Sequence, residues 1–305
     1  MKIGIATNVT WYGAPVVDVA RTAEALGFES LWMGEHIIIP VHVEKPVRHG
    51  VLLPESYRHM PDPFIWLTAA AVSTSRLRLG LDICLVPQRN PLILAKEVAC
   101  LDRISGGRLV LGVGSGWIVE EAEIMGVPFR SRWAKTMEYV RALKTIWTDE
   151  TPSFSGEYVS FPPVYSYPKP LQQPHPPILI GAGNPNTNNL PTLKRVAEVA
   201  DGWLPVYLSP VQMKQELSTL QELCEAQGRD FKQLDITLLV PAVNLGVGEA
   251  FASFKGLKSE PKNAGELIAE YEEIGVKRMI VGLVDLTVES GRQVLQDAAR
   301  GLKLI

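Results

Sequence analysis

Glutamate and histidine stand side by side as Glu35-His36, directly after a short apolar run at 30–34. Imidazole titrates near neutral pH and can donate to a carbonyl or a developing anion, so this pair is the first candidate for acid–base chemistry. In a hydrogen-bonded loop the same two residues would only order the segment that follows. Gly112-Val113-Gly114-Ser115-Gly116-Trp117 closes another apolar run. Its glycines let backbone approach a flat or anionic ligand, and Ser115 offers a hydroxyl to a ring edge or a polyol oxygen. The alternative is a tight turn, and the third glycine of a dinucleotide fingerprint is missing at its offset. Gly181-Ala182-Gly183-Asn184 ends a further run. Small residues ahead of a helix leave backbone N–H groups bare, a natural seat for phosphate, or else make an ordinary turn. Asp82 interrupts the apolar stretch 79–85. A lone buried carboxylate is costly, so it faces the site or pairs with a cation such as Arg78 or Arg89.

Elements at regular intervals must position these residues. Apolar runs at 2–6, 30–34, 77–85, 109–114, 178–181, 202–206, 236–243 and 279–284 alternate with segments of helical period. Most are apolar on both faces, as buried parallel strands are. Eight strand–helix units in succession predict an α/β fold, a (β/α)8 TIM barrel, over residues 1–305 as one domain. Local signals support the helices: Asp62-Pro63 opens one, Pro91 another, Ser209-Pro210 a third, and Asn263 caps a fourth. Two insertions break the rhythm, 37–61 and 151–177. The first follows a strand, where barrel loops build the active site; the second follows a helix and is the weaker site element.

Composition narrows the function classes. The chain has 305 residues, 46% hydrophobic and 21% charged, with a net charge of −3. Nothing in that balance draws it to nucleic acid or to an anionic membrane. No apolar run reaches the roughly 18 residues of a membrane span, and Met-Lys-Ile-Gly-Ile begins a strand rather than a signal peptide. Cys84, Cys100 and Cys224 lie far apart, which reads as reduced thiols in the cytoplasm. His42, His49 and His59 lack ligand spacing and read as solvated loop residues, so no metal is expected. A metal-dependent sugar isomerase would need more inward carboxylates and histidines than Glu35, His36, Asp82 and Asp285.

The stretch 24–36, the segments 90–97 and 101–109, Gly112–Trp117 with Glu120-Glu121, and Ala200-Asp201-Gly202-Trp203 together resemble the bacterial luciferase-like monooxygenase superfamily, in particular its F420-dependent oxidoreductases. Nearly the whole chain shares in the resemblance. It implies that His36 is the acid/base residue facing the cofactor ring, with Glu35 where relatives often carry Asp. It implies a non-proline cis peptide at Asp82–Ile83 behind the ring, ring contacts from Ser115, Gly116 and Trp117, and a phosphate-binding turn at Gly181, Ala182 and Gly183. The cofactor implied is coenzyme F420, a deazaflavin, with FMN as the alternative. Trp117 replaces a glutamate that is catalytic in the sugar-phosphate dehydrogenases of the family, which favours an apolar or aromatic small-molecule substrate. Segment 185–191 is longer than usual, which sets its phosphate contacts apart. Three functions follow: F420-dependent hydride transfer, an FMN-dependent monooxygenase served by a separate flavin reductase, or a flavin-binding protein without catalysis. The resemblance also implies a homodimer.

Overall fold

A computed structural model describes residues 1–7, 10–44, 47–48, 51–247, 263–283 and 285–305. Eight parallel strands close on themselves: β1 (Lys2–Ala6), β2 (Ser30–Met33), β3 (Arg78–Leu85), β4 (Leu109–Gly114), β5 (Ile178–Ile180), β6 (Gly202–Trp203), β7 (Asp235–Pro241) and β8 (Arg278–Gly282). Sequence neighbours are spatial neighbours, and β8 returns to β1 with Lys2 opposite Arg278 and Ala6 opposite Gly282. The (β/α)8 barrel expected from the sequence is the fold, and each apolar run supplies one strand. The sixth run shortens to Gly202–Trp203, followed by a single bridge from Val206 to Leu239. Pro205 has no N–H to extend the ladder, and Val206 N–H instead donates to Gly183 O at 2.9 Å, paving the barrel mouth. Val284 of the eighth run and His49 of the first insertion lie outside the described residues.

The helices between strands are α1 (Val16–Ala25), α2 (Pro63–Ser73), α3 (Pro91–Ile104), α4 (Val119–Ile124), α5 (Arg132–Thr148), α6 (Leu190–Val199), α7 (Pro210–Glu225), α8 (Ala264–Glu273) and α9 (Gly291–Gly301). Their starts are fixed locally. Asp62 accepts from the N–H groups of Phe64 and Ile65, Asn90 from Leu92 and Ile93, and Asn263 from Gly265 and Glu266. Ser209 and Gln212 form a reciprocal capping box.

Trp32 fills the barrel interior together with Ala6, Val110, Leu179, Leu204, Leu239 and Ile280. Its indole N–H donates to Ser30 Oγ at 2.8 Å. A Cβ on Gly80 would stand 2.1 Å from that indole, so glycine at 80 is a packing requirement. On the lower side, buried Arg278 donates to both oxygens of Glu29 (2.9 and 3.0 Å), to Asp235 (2.9 Å) and to Thr237 Oγ1 (3.0 Å). Burial works against the Glu29 carboxylate, but the Arg278 guanidinium outweighs it and holds the group below its usual range. Indole and ion cluster together close the barrel from below.

The two insertions take different places. The first holds a short antiparallel pair, Val47–Arg48 with Val51–Leu52, and a 3-10 turn, Glu55–His59, that returns Tyr57 to the mouth. The second forms a hairpin, Phe154–Ser155 with Ser160–Phe161, and then runs along α3 and α5. Asp102 accepts there from the N–H groups of Leu171 and Gln172 (2.8 and 2.9 Å), and Lys169 donates to Ile146 O at 2.6 Å. None of residues 151–177 lines the mouth, as expected for a segment that follows a helix. Among the described residues no helix is long and apolar enough to cross a membrane.

Candidate active site

The C-terminal strand ends surround a cavity of about 560 Å³, within the roughly 300–1,000 Å³ usual for sites that bury a cofactor or substrate. All ten residues singled out from the sequence line it: Glu35 and His36 after β2, Asp82 and Ile83 in β3, Ser115, Gly116 and Trp117 after β4, and Gly181, Ala182 and Gly183 after β5.

Glu35 and His36 are adjacent in sequence but do different work. The His36 ring is 5.0 Å from the Tyr57 ring and edge-on to Trp117 at 6.0 Å, centroid to centroid. Its Nδ1 lies 2.9 Å from Oε2 of Glu121, a fully buried residue in the first turn of α4. Nε2 makes no hydrogen bond to any described residue and is the nitrogen left for a ligand. Glu35, by contrast, has both oxygens taken. Oε2 accepts from Leu85 N–H at 2.6 Å, and Oε1 accepts from Arg89 Nε at 2.8 Å and from its Nη2. Arg89 also bonds Asp62 at 2.6 Å and Glu97 at 3.1 Å and lies over the Phe64 ring. Burial alone would lower the Arg89 guanidinium, but the Glu35 carboxylate raises it above its usual value. Glu35 is therefore tied into the frame, where a free acid or base would need an open oxygen. Among the described residues no salt bridge joins Asp82 to Arg78 or Arg89: Arg89 serves Glu35, Asp62 and Glu97, and Arg78 donates to the Gln172 side chain at 3.4 Å.

The cavity floor explains several glycines. The Asp82–Ile83 peptide is cis, and the register against β4 shifts between Leu81 and Cys84. Ile83 is thereby set between two strand ends. A Cβ on Gly114 would lie 1.9 Å from Ile83 Cδ1, and one on Gly181 would lie 2.0 Å from Ile83 Cγ2. These glycines make room for Ile83, where the sequence suggested room for ligand. Gly116 and Gly183 are glycine for a second reason, their φ values of +81° and +106°. The Ser115 hydroxyl is buried and faces the cavity without a protein partner among the described residues.

The phosphate seat expected at 181–184 is modified. α6 begins only at Leu190, so no helix N-terminus stands behind the turn. Gly181 N–H is taken by Val113 O at 2.8 Å and Asn184 N–H by Asn189 Oδ1 at 3.2 Å. The turn is held from outside by Trp203, whose indole donates to Ala182 O at 2.8 Å. Two cations that the sequence reading missed line the same cavity, Arg132 of α5 and Arg195 of α6, as does Thr187. Neither guanidinium forms an ion pair with a carboxylate among the described residues; Arg132 rests on Phe129 and Arg195 on Trp133. Burial, and then the nearby charge of Arg195, lower the Arg132 guanidinium from its usual value. Tyr57 and Glu121 were likewise missed as site residues. No periodicity marks any of the four, because only tertiary packing turns them inward.

Residues 7–244 match the family described as luciferase-like monooxygenase. An uncharacterized protein of Mycobacterium tuberculosis (strain ATCC 25618 / H37Rv) is 31% identical over 305 residues, covering 99% of each chain. The F420-dependent glucose-6-phosphate dehydrogenase of Kineococcus radiotolerans is 31% identical over 245 residues, 78% of this chain and 66% of that protein. Among solved structures, the monooxygenase RslO1 from Streptomyces bottropensis superposes with a TM-score of 0.75 at 21% identity, covering 99% of both chains.

Proposed function

Because the chain belongs to the luciferase-like monooxygenase family, we propose that it is an oxidoreductase that uses coenzyme F420 to move a hydride to or from a small organic substrate. One observation carries this reading: among the described residues a single cavity is lined by an imidazole whose Nε2 has no hydrogen-bond partner and by two guanidiniums without carboxylate partners. A planar ring with an anionic tail matches that set of groups. When bound, the coenzyme supplies the two-electron ring chemistry.

The chain's own residues have these roles in the proposal. Ile83 supports the ring from below. The Ser115 hydroxyl is available to a ring or ribityl oxygen. Arg195, Arg132 and Thr187 hold the phosphate, since charge-assisted bonds from a planar guanidinium suit phosphate oxygens. His36 Nε2 takes up or returns the substrate proton. Glu35 is a positioning residue that acts through Arg89. The substrate is a small apolar or aromatic alcohol or carbonyl compound, because Tyr57, Met60, Trp117 and Trp133 face the cavity. On the family resemblance, Trp117 stands where the sugar-phosphate dehydrogenases carry a catalytic glutamate, which argues against a sugar-phosphate substrate.

The second reading is an FMN-dependent monooxygenase supplied by a flavin reductase, favoured by the match to the luciferase-like monooxygenase family. Titration of the purified protein with F420 and with FMN, followed by oxygen-uptake measurements, separates the two. F420 binding at micromolar concentrations without oxygen use supports the first. FMN binding with oxygen use replaces it by the second, and binding of neither removes both. The proposal includes a homodimer. Ile65 and Val72 on α2 and Ile93 and Ile104 on α3 are between 50% and 73% exposed, an apolar face suited to a second copy. It also includes a reducing compartment such as the cytoplasm, which the free Cys84, Cys100 and Cys224 suit.

A further inference from the structure

Glu121 is a fully buried acid that the proposed chemistry does not yet use. Its Oε2 meets His36 Nδ1 at 2.9 Å, while its Oε1 has no hydrogen-bond partner among the described residues. A buried carboxylate with one bare oxygen is costly, so a structural role alone would be better served by an amide or an apolar side chain. Glu120, by comparison, is partly exposed and only accepts from the Glu44 N–H at 2.7 Å.

We infer that Glu121 is a positioning residue that fixes His36 as the Nδ1–H tautomer, so that Nε2 faces the cavity as a proton acceptor. The two imidazole nitrogens are distinct, and the bond made by one sets the protonation of the other. With Nδ1–H donating to the carboxylate, the lone pair lies on Nε2, the nitrogen with no partner among the described residues. The inference rests on the hydride-transfer reading. In alcohol oxidation the substrate O–H bond breaks, its electron pair stays on oxygen, and the proton forms the Nε2–H bond. The coenzyme, when bound, would supply the acceptor for the carbinol hydride, leaving a carbonyl. The imidazolium that results is then paired with the Glu121 anion, which lowers the cost of holding the proton in a closed cavity. In carbonyl reduction the same proton returns to the substrate oxygen. The other titratable or charged groups around the ring are Tyr57 on the 55–59 turn, Asp82 on β3, and Glu35 with its Arg89; Arg132 lines the same cavity.

The test needs no coenzyme. Nitrogen-15 NMR of the imidazoles of the full chain, with His36→Asn identifying the signal, reads the tautomer directly. Glu121→Gln removes the charge but can still accept from Nδ1–H, and Glu121→Leu removes both. Wild type is expected as the Nδ1–H tautomer. Glu121→Gln should keep that tautomer. Glu121→Leu should populate Nε2–H as well. The kcat of the F420-loaded enzyme should fall in Glu121→Leu and be largely restored in Glu121→Gln. An unchanged tautomer in Glu121→Leu, in protein whose circular dichroism and melting match wild type, overturns the inference. Should Glu121→Leu fail to fold, the wild-type spectrum decides alone, and a wild-type Nε2–H tautomer is the overturning result. Full turnover in His36→Asn would instead remove the proton-transfer role that the hydride-transfer reading gives His36 and leave the NMR result standing, so the two failures are distinguishable.

Discussion

Gly181→Ala places a methyl where Ile83 already stands. Its Cβ would lie 2.0 Å from Ile83 Cγ2 and 3.4 Å from Ile83 Cβ. Non-bonded carbons settle at about 3.5–4.0 Å, so an overlap of roughly 1.5 Å or more must be relieved by moving Ile83 or its bulge. Overpacking of this kind costs about 1–3 kcal/mol. Gly181 does not have positive φ, so alanine fits its backbone and recovers about 0.4–1 kcal/mol by restricting the unfolded chain. The net expectation is a loss of about 1–2 kcal/mol in the wild-type background. In an Ile83→Ala background the clashing atom is gone, and the same substitution should be neutral or slightly stabilising. A double-mutant cycle from urea unfolding, followed by tryptophan fluorescence and circular dichroism, should therefore give a coupling of about 1–3 kcal/mol. Additivity within about 0.5 kcal/mol would refute the claim that glycine is required at 181 by Ile83.

Removing Arg89 as Arg89→Met leaves the Glu35 carboxylate buried with the Leu85 N–H as its remaining bond, which should cost about 3–5 kcal/mol in urea unfolding; a loss under about 1 kcal/mol would contradict the frame role. Burial lowers the His175 imidazole below its usual value of about 6.5, against the raising effects of Pro176 O and Asp201. A lowered folded-state value means the unfolded chain binds the proton more readily, so this contribution is complete above about pH 6.5 and is lost as pH falls. His175→Gln should accordingly flatten the drop in unfolding midpoint between about pH 7.5 and 5.5. Arg195→Met should weaken coenzyme binding by about 10–100-fold in a fluorescence titration, the loss of one charge-assisted bond; unchanged affinity would move the phosphate elsewhere. Ile65→Asp with Ile93→Asp should convert the proposed dimer to monomer in sedimentation velocity, and a wild-type monomer would remove that proposal.

Much of the fold was legible because its causes are local. An Asp, Asn or Ser ahead of a helix announces its start whatever surrounds it, and Asp62, Asn263 and Ser209 all cap as read. Runs apolar on both faces have no place except between two layers, which is why eight of them give a closed sheet. The end of β6 was harder, since Pro205 blocks the ladder while the residues after it still look strand-like. That the ten residues would share one cavity was also legible, because barrel strand ends converge. Their division of labour was not. Glu35 is tied down by a cation 54 positions away and His36 is held by an acid 85 positions away. The glycines carried an ambiguous message as well, since closeness to a ligand and closeness to Ile83 demand the same residue. Arg132 and Arg195 come from helices whose sequences look ordinary, and only the packing of α5 and α6 over the mouth turns them toward the cavity.

Arg89 joins Glu35 and Asp62, the former two residues before the 37–61 insertion and the latter immediately after it. Asp62 uses its other oxygen to cap α2. Both feet of the loop are thus clamped to one guanidinium, next to β3 and outside the loop itself. A segment held this way can change length or sequence between its feet while the imidazole at its root keeps its position. New substrates could then be admitted by exchanging that stretch as a cassette, with the proton-handling apparatus inherited intact.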